Sequence, residues 1–246
     1  MLVIPSFAQP LLDPFAPVFF QPTYQRFLVL LIAAILTTGR RTVSNLLRSV
    51  PGLAPGHPSS YHRVFSKRRW STFQLARLLA QFILDHYVPD GPVFLAGDDT
   101  VDEHRGAKVH GKGCHRDPVR STHAFTAYRW GHKWVVLTIL VPFRFAARPW
   151  ALPVLVALYR CADKAQAKGQ TKTKTKRKKV KDKAKAQQRA RRKAQAPTSK
   201  PRHKTPSELM RQLLALLIHW FPDRQFVFAG DGGYGTHALA RFAHRH

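Results

Sequence analysis

Two short runs of apolar residues constrain the fold more than any other feature of the sequence. Residues 92–97 read PVFLAG, and residues 225–230 read QFVFAG. A continuous apolar run of this length is typical of a strand buried in the centre of a sheet. Helical patterns flank both runs. The sequence therefore predicts an α/β fold, with a mixed β-sheet and flanking helices.

The first ninety residues form a separate pattern. Residues 1–22 are rich in proline and apolar side chains, which predicts an extended arm packed on the body. Residues 23–90 predict a helical domain, with helices over 23–37, 42–50, 59–69 and 71–86. The last helix opens with the capping-box pattern Ser71-Thr72-Phe73-Gln74. Short helices with Arg40 and Arg41 between them suit a DNA-binding module, and they suit any small helical bundle equally well.

The segment between the two apolar runs has β character. Residues 123–130 alternate and are rich in aromatics, and residues 133–143 are apolar and β-branched, so a hairpin that turns at Gly131-His132 is predicted. Residues 150–159 continue as a strand or as irregular apolar chain, because Pro153 disfavours a central strand. A helix then opens with the capping box Thr205-Pro206-Ser207-Glu208. Its predicted buried stripe is Leu209, Leu213, Leu216, Leu217 and Trp220.

Positive charge is concentrated in one segment. The chain carries a net charge of +28, and residues 163–204 hold 18 Lys and Arg against 2 Asp, without an aromatic residue. Such a composition forms no core, so a basic linker, disordered or marginally helical, is predicted to interrupt a domain that spans 91–246. The natural partner of so basic a chain is a polyanion. The candidate DNA contacts are Arg40, Arg41, Lys176, Arg177, Lys178 and Lys179. The alternative is a solvated, solubilising insertion.

Cysteine and hydropathy patterns bear on location. The two cysteines, Cys114 and Cys161, cannot form a disulfide framework or a four-cysteine zinc site, and they fit a reducing intracellular setting. The proline-broken N-terminal segment lacks the basic region of a signal peptide. The apolar stretch 27–36 is too short to span a bilayer of about 30 Å, so no membrane partner is expected.

Each apolar run ends in Ala-Gly-Asp, which places Asp98 and Asp231 in matching positions. If the two strands are neighbours, about 4.8 Å apart, both carboxylates can share a divalent cation, and their hard oxygens suit Mg²⁺ or Mn²⁺. Two such ions can activate water and stabilise the leaving oxygen of a phosphodiester. The alternative is that each Asp is a turn residue or a helix N-cap. Asp98 is favoured over Asp99, because the second run has a single Asp at the equivalent place.

Several motifs resemble those of DDE-superfamily transposases of bacterial insertion sequences. They are Gly97-Asp98-Asp99-Thr100, residues 113–117 (GCHRD), residues 129–134 (RWGHKW) and residues 230–234 (GDGGY), with residues 38–42 and 61–65 upstream. The resemblance implies a ribonuclease-H-like catalytic domain in which Asp98 ends the first strand and Asp231 the fourth. It also implies Mg²⁺- or Mn²⁺-dependent cleavage of double-stranded DNA at element ends, followed by transfer of the 3′ hydroxyl to target DNA.

The third acidic residue of that family, a Glu on a later helix, has no counterpart here. Glu103 and Glu208 are the two glutamates of the chain, and both precede Asp231. The expectation is therefore an incomplete, C-terminally truncated transposase with impaired catalysis. The alternatives are a catalytically inactive DNA-binding remnant and a metal-dependent nuclease of the same fold. The expected location is the bacterial cytoplasm, at the nucleoid, and a second copy of the chain is a further candidate partner.

Five histidines lie between the first predicted strand and the end of the predicted hairpin. They are His104, His110, His115, His123 and His132. None of them forms a helical zinc-binding pair with an intervening Glu, and Cys114 stands alone. The pattern favours histidines near a phosphate-binding face over a zinc site.

Overall fold

The computed structural model describes residues 6–104, 106, 109–117, 119–161 and 203–245. Nearly all of the predicted linker 163–204 therefore lies outside the described residues, including Lys176, Arg177, Lys178 and Lys179. The described residues form seven α-helices and a five-stranded sheet, which confirms a mixed α/β fold with an N-terminal helical region. None of the described helices combines the length and the apolarity needed to cross a membrane.

The elements are numbered in chain order. The helices are α1 (Gln9–Leu12), α2 (Gln21–Leu36), α3 (Val43–Ser49), α4 (Pro58–Ser66), α5 (Thr72–Tyr87), α6 (Pro206–Trp220) and α7 (His237–Arg245). The strands are β1 (Val93–Glu103), β2 (Gly113–Arg116), β3 (Tyr128–Val141), β4 (Trp150–Tyr159) and β5 (Phe226–Gly230). The chain divides into two compact units. The first contains residues up to Val93 with Val141–Leu155, and the second contains Phe94–Leu140 and the residues from Val156 onward.

The proline-rich arm is helical, so the prediction of an extended arm is wrong. A 3-10 turn at Ser6–Ala8, α1 and a second 3-10 helix at Asp13–Val18 follow one another. Pro10 and Pro14 lie at the starts of α1 and of the second 3-10 helix, where proline fits because it has a helical φ and its missing N–H is not needed. The arm does pack on the helices that follow, since Tyr24 donates its hydroxyl to the Leu12 carbonyl at 2.7 Å.

Helices α2 to α5 begin and end within three residues of the predicted positions. Their core is a cluster of buried residues from α2, α3 and α4 and the loop after α3: Val29, Leu30, Ala33, Leu46, Val50, Tyr61 and Val64. Side chains cap three of these helices: Thr42 accepts from the Asn45 amide, His57 from the Ser59 amide and Ser71 from the Gln74 amide. The hydroxyl half of the predicted capping box at Ser71 is therefore confirmed.

The sheet of the second unit has the order β2-β3-β1-β5, and β4 also pairs with β3. β1 and β3 are antiparallel, in a register that runs from Leu95 opposite Ile139 to Glu103 opposite Gly131. β5 is the neighbour of β1, which is the condition for Asp98 and Asp231 to share a cation. The four-residue strand β2 was not predicted, and it pairs antiparallel with the start of β3.

The predicted hairpin at residues 123–143 is wrong, because β3 runs without a turn through Gly131 and His132. Gly131 stands opposite Glu103, and a side chain there would clash with the backbone carbonyl of Asp102. This glycine therefore permits a close approach of two strands and does not make a turn.

The two sides of the sheet differ, so the prediction that the apolar runs are buried on both faces is also wrong. In β1, Val93, Leu95 and Gly97 are buried, whereas the side chain of Phe94 is 50% exposed. We call the side of Leu95 and Gly97 the closed face and the opposite side the open face. A side chain at Gly97 would overlap Met210 of α6 and Phe228 of β5, so the closed face packs against α6.

Helix α6 begins at the predicted capping box. Thr205 accepts from the Glu208 amide at 3.2 Å, and the Glu208 carboxylate accepts from the Thr205 amide at 2.9 Å. The buried stripe is Met210, Leu213, Leu214 and Leu217, which differs from the predicted stripe in part. The difference follows from Gly97, because the space left by its missing side chain is occupied by the Met210 methyl.

Candidate metal site and nucleic-acid surfaces

Asp98 lies within β1 and not at its end, which corrects the position that the resemblance implied. β1 continues to Glu103, because β3 pairs with it as far as Gly131. Asp98 faces the open side of the sheet and is exposed, opposite Val136. Its Oδ1 accepts from the Asp99 amide at 2.7 Å. An exposed carboxylate on a rigid strand is accessible both to a cation and to a DNA phosphate.

Asp99 points to the closed face, because side chains alternate along a strand. It is less exposed than Asp98, and its Oδ2 lies 2.8 Å from Nζ of Lys133. The ammonium group neutralises this carboxylate and competes with any cation for its oxygens. The ion pair therefore leaves Asp98 as the more accessible carboxylate of the two.

Asp231 follows β5 directly and begins a 3-10 turn, Gly232–Tyr234. Its Oδ1 accepts from the Gly233 amide at 3.0 Å, so the N-cap interpretation is realised in the fold. This bond involves one carboxylate oxygen and fixes the orientation of the group. A capping role and a ligand role are therefore compatible for Asp231.

Tyr234, which sequence reasoning missed, is buried beside these carboxylates. Its side chain is 4% exposed, and its hydroxyl has no hydrogen-bond partner among the described residues. Burial raises the pKa of Tyr234 well above its usual value, and the negative charges of Asp99, Asp231 and Asp98 raise it further. The three carboxylates therefore lie within electrostatic range of one buried donor. An unmade hydrogen bond of this kind costs about 1–3 kcal/mol.

The donor set fits a hard divalent cation in part. Asp98 and Asp231 offer carboxylate oxygens from neighbouring strands, the ligand type that Mg²⁺ prefers. Within the described ranges, no group of three or more His, Cys, Asp or Glu is arranged to hold a metal ion. Mg²⁺ usually retains several waters and takes one or two carboxylates together with substrate phosphates, so two protein ligands are compatible with this ion.

His115 is the buried histidine of the predicted set. Burial lowers its pKa below the usual value, and the nearby Lys133 ammonium lowers it further, so it is neutral at pH 7. Its Nδ1 lies 3.7 Å from Sγ of Cys161. The two glutamates of the chain occupy different elements: Glu103 ends β1, and Glu208 belongs to the capping box of α6.

A basic surface lies in the first unit. Arg40 and Arg41 are exposed, although Nε of Arg41 also donates to the Ala34 carbonyl at 3.0 Å. Four further exposed cations, which sequence reasoning did not select, lie on α4 and just after it: Arg63, Lys67, Arg68 and Arg69. The run Lys67-Arg68-Arg69 at a helix end was a signal that could have identified them. We call these four residues the α4 basic patch.

Comparison with known families identifies the family of this chain. Residues 14–246 match the profile of a family described as DDE superfamily endonuclease. The match covers nearly the whole chain, so the protein belongs to this family. No curated protein sequence and no solved structure matched the chain. Membership supports a transposase- or nuclease-type function that acts on DNA.

Proposed function

We propose that this protein is a transposase-type endonuclease, which cleaves DNA strands in a metal-dependent reaction and transfers the 3′ hydroxyl to target DNA. The observation that carries the proposal is the pairing of β1 with β5, which delivers Asp98 and Asp231 from neighbouring strands. Their matching Ala-Gly-Asp sequences and the family membership support the same assignment.

In this proposal Asp98 and Asp231 hold Mg²⁺ or Mn²⁺. When bound, the cation supplies charge stabilisation to the phosphodiester and a more acidic attacking group. The chain's own residues orient the ligands. The Gly233 amide fixes Oδ1 of Asp231, and the Asp99 amide fixes Oδ1 of Asp98. Lys133 holds Asp99 on the closed face, away from the accessible side of the strand.

Tyr234 has a positioning role in this site. Its hydroxyl remains protonated at neutral pH, because burial and the nearby carboxylates raise its pKa. The hydroxyl can therefore donate a hydrogen bond to a carboxylate, and it does not ionise at neutral pH. We infer that it donates to Asp231, or to a water beside it, once Asp231 rearranges around a cation, which recovers the interaction that the hydroxyl otherwise lacks.

Catalysis by these 246 residues is proposed to be weak. Both glutamates precede Asp231, and Glu208 is committed to the Thr205 amide. A site with two carboxylates stabilises less of the developing charge than a site with three. The same observation favours the second candidate function, a DNA-binding remnant that does not cleave DNA. The experiment below distinguishes the two functions.

The proposed partner is double-stranded DNA, both insertion-sequence ends and target. Arg40, Arg41 and the α4 basic patch would contact its phosphates from the first unit. Lys176, Arg177, Lys178 and Lys179 would add contacts that carry no sequence information. We place this activity at the bacterial nucleoid, and a homodimer would present two such surfaces to paired element ends.

Nicking of supercoiled plasmid in Mn²⁺ tests the proposed chemistry. The intact chain is expected to nick slowly. Asp98→Asn and Asp231→Asn are each expected to slow nicking at least about a hundredfold, because the charge stabilisation by a bound metal is worth several kcal/mol. Asp99→Asn is the matched control, since it removes a neighbouring carboxylate that is already neutralised by Lys133.

Two outcomes decide between the candidates. Nicking that depends on Mn²⁺ and on both Asp98 and Asp231 would establish the endonuclease. DNA binding without any nicking, in the intact chain and in all three variants, would identify the remnant. Electrophoretic mobility shifts on the same plasmid supply the binding measurement, and thermal melting confirms that each variant is folded.

A further inference from the structure

A row of aromatic side chains shares the open face of the sheet with Asp98. Residues directly opposite each other in an antiparallel pair point to the same face. Asp98, Thr100 and Asp102 stand opposite Val136, Trp134 and His132, so these six lie on one side. Tyr128 and Trp130 continue the same side, because side chains of one face recur at every second residue. We call Tyr128, Trp130, His132 and Trp134 the aromatic row.

The row becomes more exposed with distance from Asp98. Trp134 and His132 are half-buried and meet edge to face, with ring centroids 5.8 Å apart. Trp130 is 49% exposed and Tyr128 67% exposed. From Val136, which is opposite Asp98, to Tyr128 the strand covers eight residues, or about 27 Å. Two neighbouring aromatic side chains exposed on one face form a patch of the kind that marks a binding surface.

Cations flank the exposed end of the row. Nζ of Lys112 lies 5.6 Å from the Trp130 ring centroid. Arg116 is exposed and stands opposite Tyr128 in the pairing of β2 with β3. A cavity of about 590 Å³ opens here, with Lys112, Arg120 and Trp130 in its walls.

Two of the acidic groups near the row lie within 3.2 Å of a nitrogen of a basic side chain. The carboxylate of Asp102 lies 3.2 Å from Nε2 of His104. The buried carboxylate of Asp117 lies 2.8 Å from Nη2 of Arg129. Glu103 also lines the cavity. The exposed end of the row is therefore suited to an anionic ligand, which Lys112 and Arg116 would contact.

We propose that the aromatic row binds an unpaired DNA strand that leads away from Asp98. Bases would stack on Trp130 and Tyr128, and backbone phosphates would contact Lys112 and Arg116. This combination of exposed rings and adjacent cations is how proteins bind single strands without reading sequence. The inference rests on the proposed function for the identity of the ligand as DNA, and it does not depend on cleavage.

Other occupants fit the row less well. In a duplex the faces of the bases are stacked on one another and cannot reach Trp130 or Tyr128. A second copy of this chain would bring its own Lys112 and Arg116 against the same cations, which like-charge repulsion opposes. A single strand offers both free base faces and the negative charge that the flanking cations require.

The test compares a labelled single-stranded oligonucleotide with a duplex of the same length by fluorescence anisotropy, in EDTA. Trp130→Ala is expected to weaken single-strand binding about 5- to 150-fold, the range for loss of one stacked base. Duplex affinity is expected to stay within about twofold, because phosphate contacts dominate it. Trp130→Phe, which keeps a stacking surface, is expected to retain most of the single-strand affinity.

The control is Trp150→Ala, since Trp150 is 51% exposed and lies on another strand. It is expected to change neither affinity. Equal losses on single strand and duplex, equal losses in both alanine variants, or no loss in Trp130→Ala would overturn the proposal. Dissociation of a dimer by Trp130→Ala in sedimentation would overturn it in favour of a second copy. Because EDTA removes divalent cations, the binding result does not depend on whether Asp98 and Asp231 hold a metal. Circular dichroism verifies that each variant is folded.

Discussion

Affinity for duplex DNA is expected to fall about a thousandfold or more when salt rises from about 50 to about 200 mM. The net charge of +28 provides many candidate phosphate contacts, and each one releases counterions that added salt opposes. Six or more contacts are enough for this loss. Fluorescence anisotropy over a salt series gives the slope of log affinity against log salt. Affinity that is indifferent to salt over this range would contradict the electrostatic account.

The same series assigns the contacts of the first unit. Arg68→Gln and Arg69→Gln, in the α4 basic patch, are each expected to reduce the steepness of the slope by about 0.9, the value for one phosphate contact. Arg77→Gln is the matched control, because Arg77 is an exposed arginine of α5 outside the patch. An equal change in slope for all three variants would show that the patch has no special part in binding.

Gly131→Ala is expected to destabilise the second unit by about 1–3 kcal/mol or more. The added methyl would overlap the backbone carbonyl of Asp102, and backbone can give way less readily than a side chain. The strand pairing that holds β1 against β3 would have to open near Glu103. Denaturant unfolding, monitored by circular dichroism, measures the change in the free energy of unfolding.

Gly52→Ala is the matched control for that prediction. A side chain at Gly52 meets no atom within 4 Å, and the residue lies in an exposed turn. Its free energy of unfolding is expected to be unchanged or slightly increased, because alanine restricts the unfolded chain. A Gly131→Ala protein as stable as the Gly52→Ala protein would mean that Gly131 forms a turn after all.

Local sequence patterns predicted the elements that depend on local causes. Thr205 and Glu208 form the expected capping box, and the apolar run at 225–230 forms the expected strand, β5. The errors arise where a distant contact decides the outcome. The sequence predicts a turn at Gly131. The structure requires glycine there for another reason, because a side chain would clash with the carbonyl of Asp102, nearly thirty residues earlier in the chain. Strand β2 has four residues, too few for a periodic signal.

The candidate residues of the site also came from a local pattern. The repeated Ala-Gly-Asp sequence selected Asp98 and Asp231, and the single Asp after the second run favoured Asp98 over Asp99. The ion pair between Lys133 and Asp99 could not be predicted, because it depends on the register of β1 against β3. Tyr234 was missed for the same kind of reason. Its place three residues after Asp231 is visible in the sequence, whereas the burial of its hydroxyl is a property of the packed fold.

Titration of the metal-stripped protein with Mn²⁺, followed by electron paramagnetic resonance, measures directly whether Asp98 and Asp231 hold the cation. The intact chain is expected to bind Mn²⁺, Asp98→Asn and Asp231→Asn are each expected to weaken binding at least about tenfold, and Asp99→Asn is expected not to weaken it. Tyr234→Phe is expected to remain folded and to bind Mn²⁺ less tightly than the intact chain. Binding lost in Asp99→Asn and retained in Asp98→Asn, or no binding by the intact chain, would contradict the account.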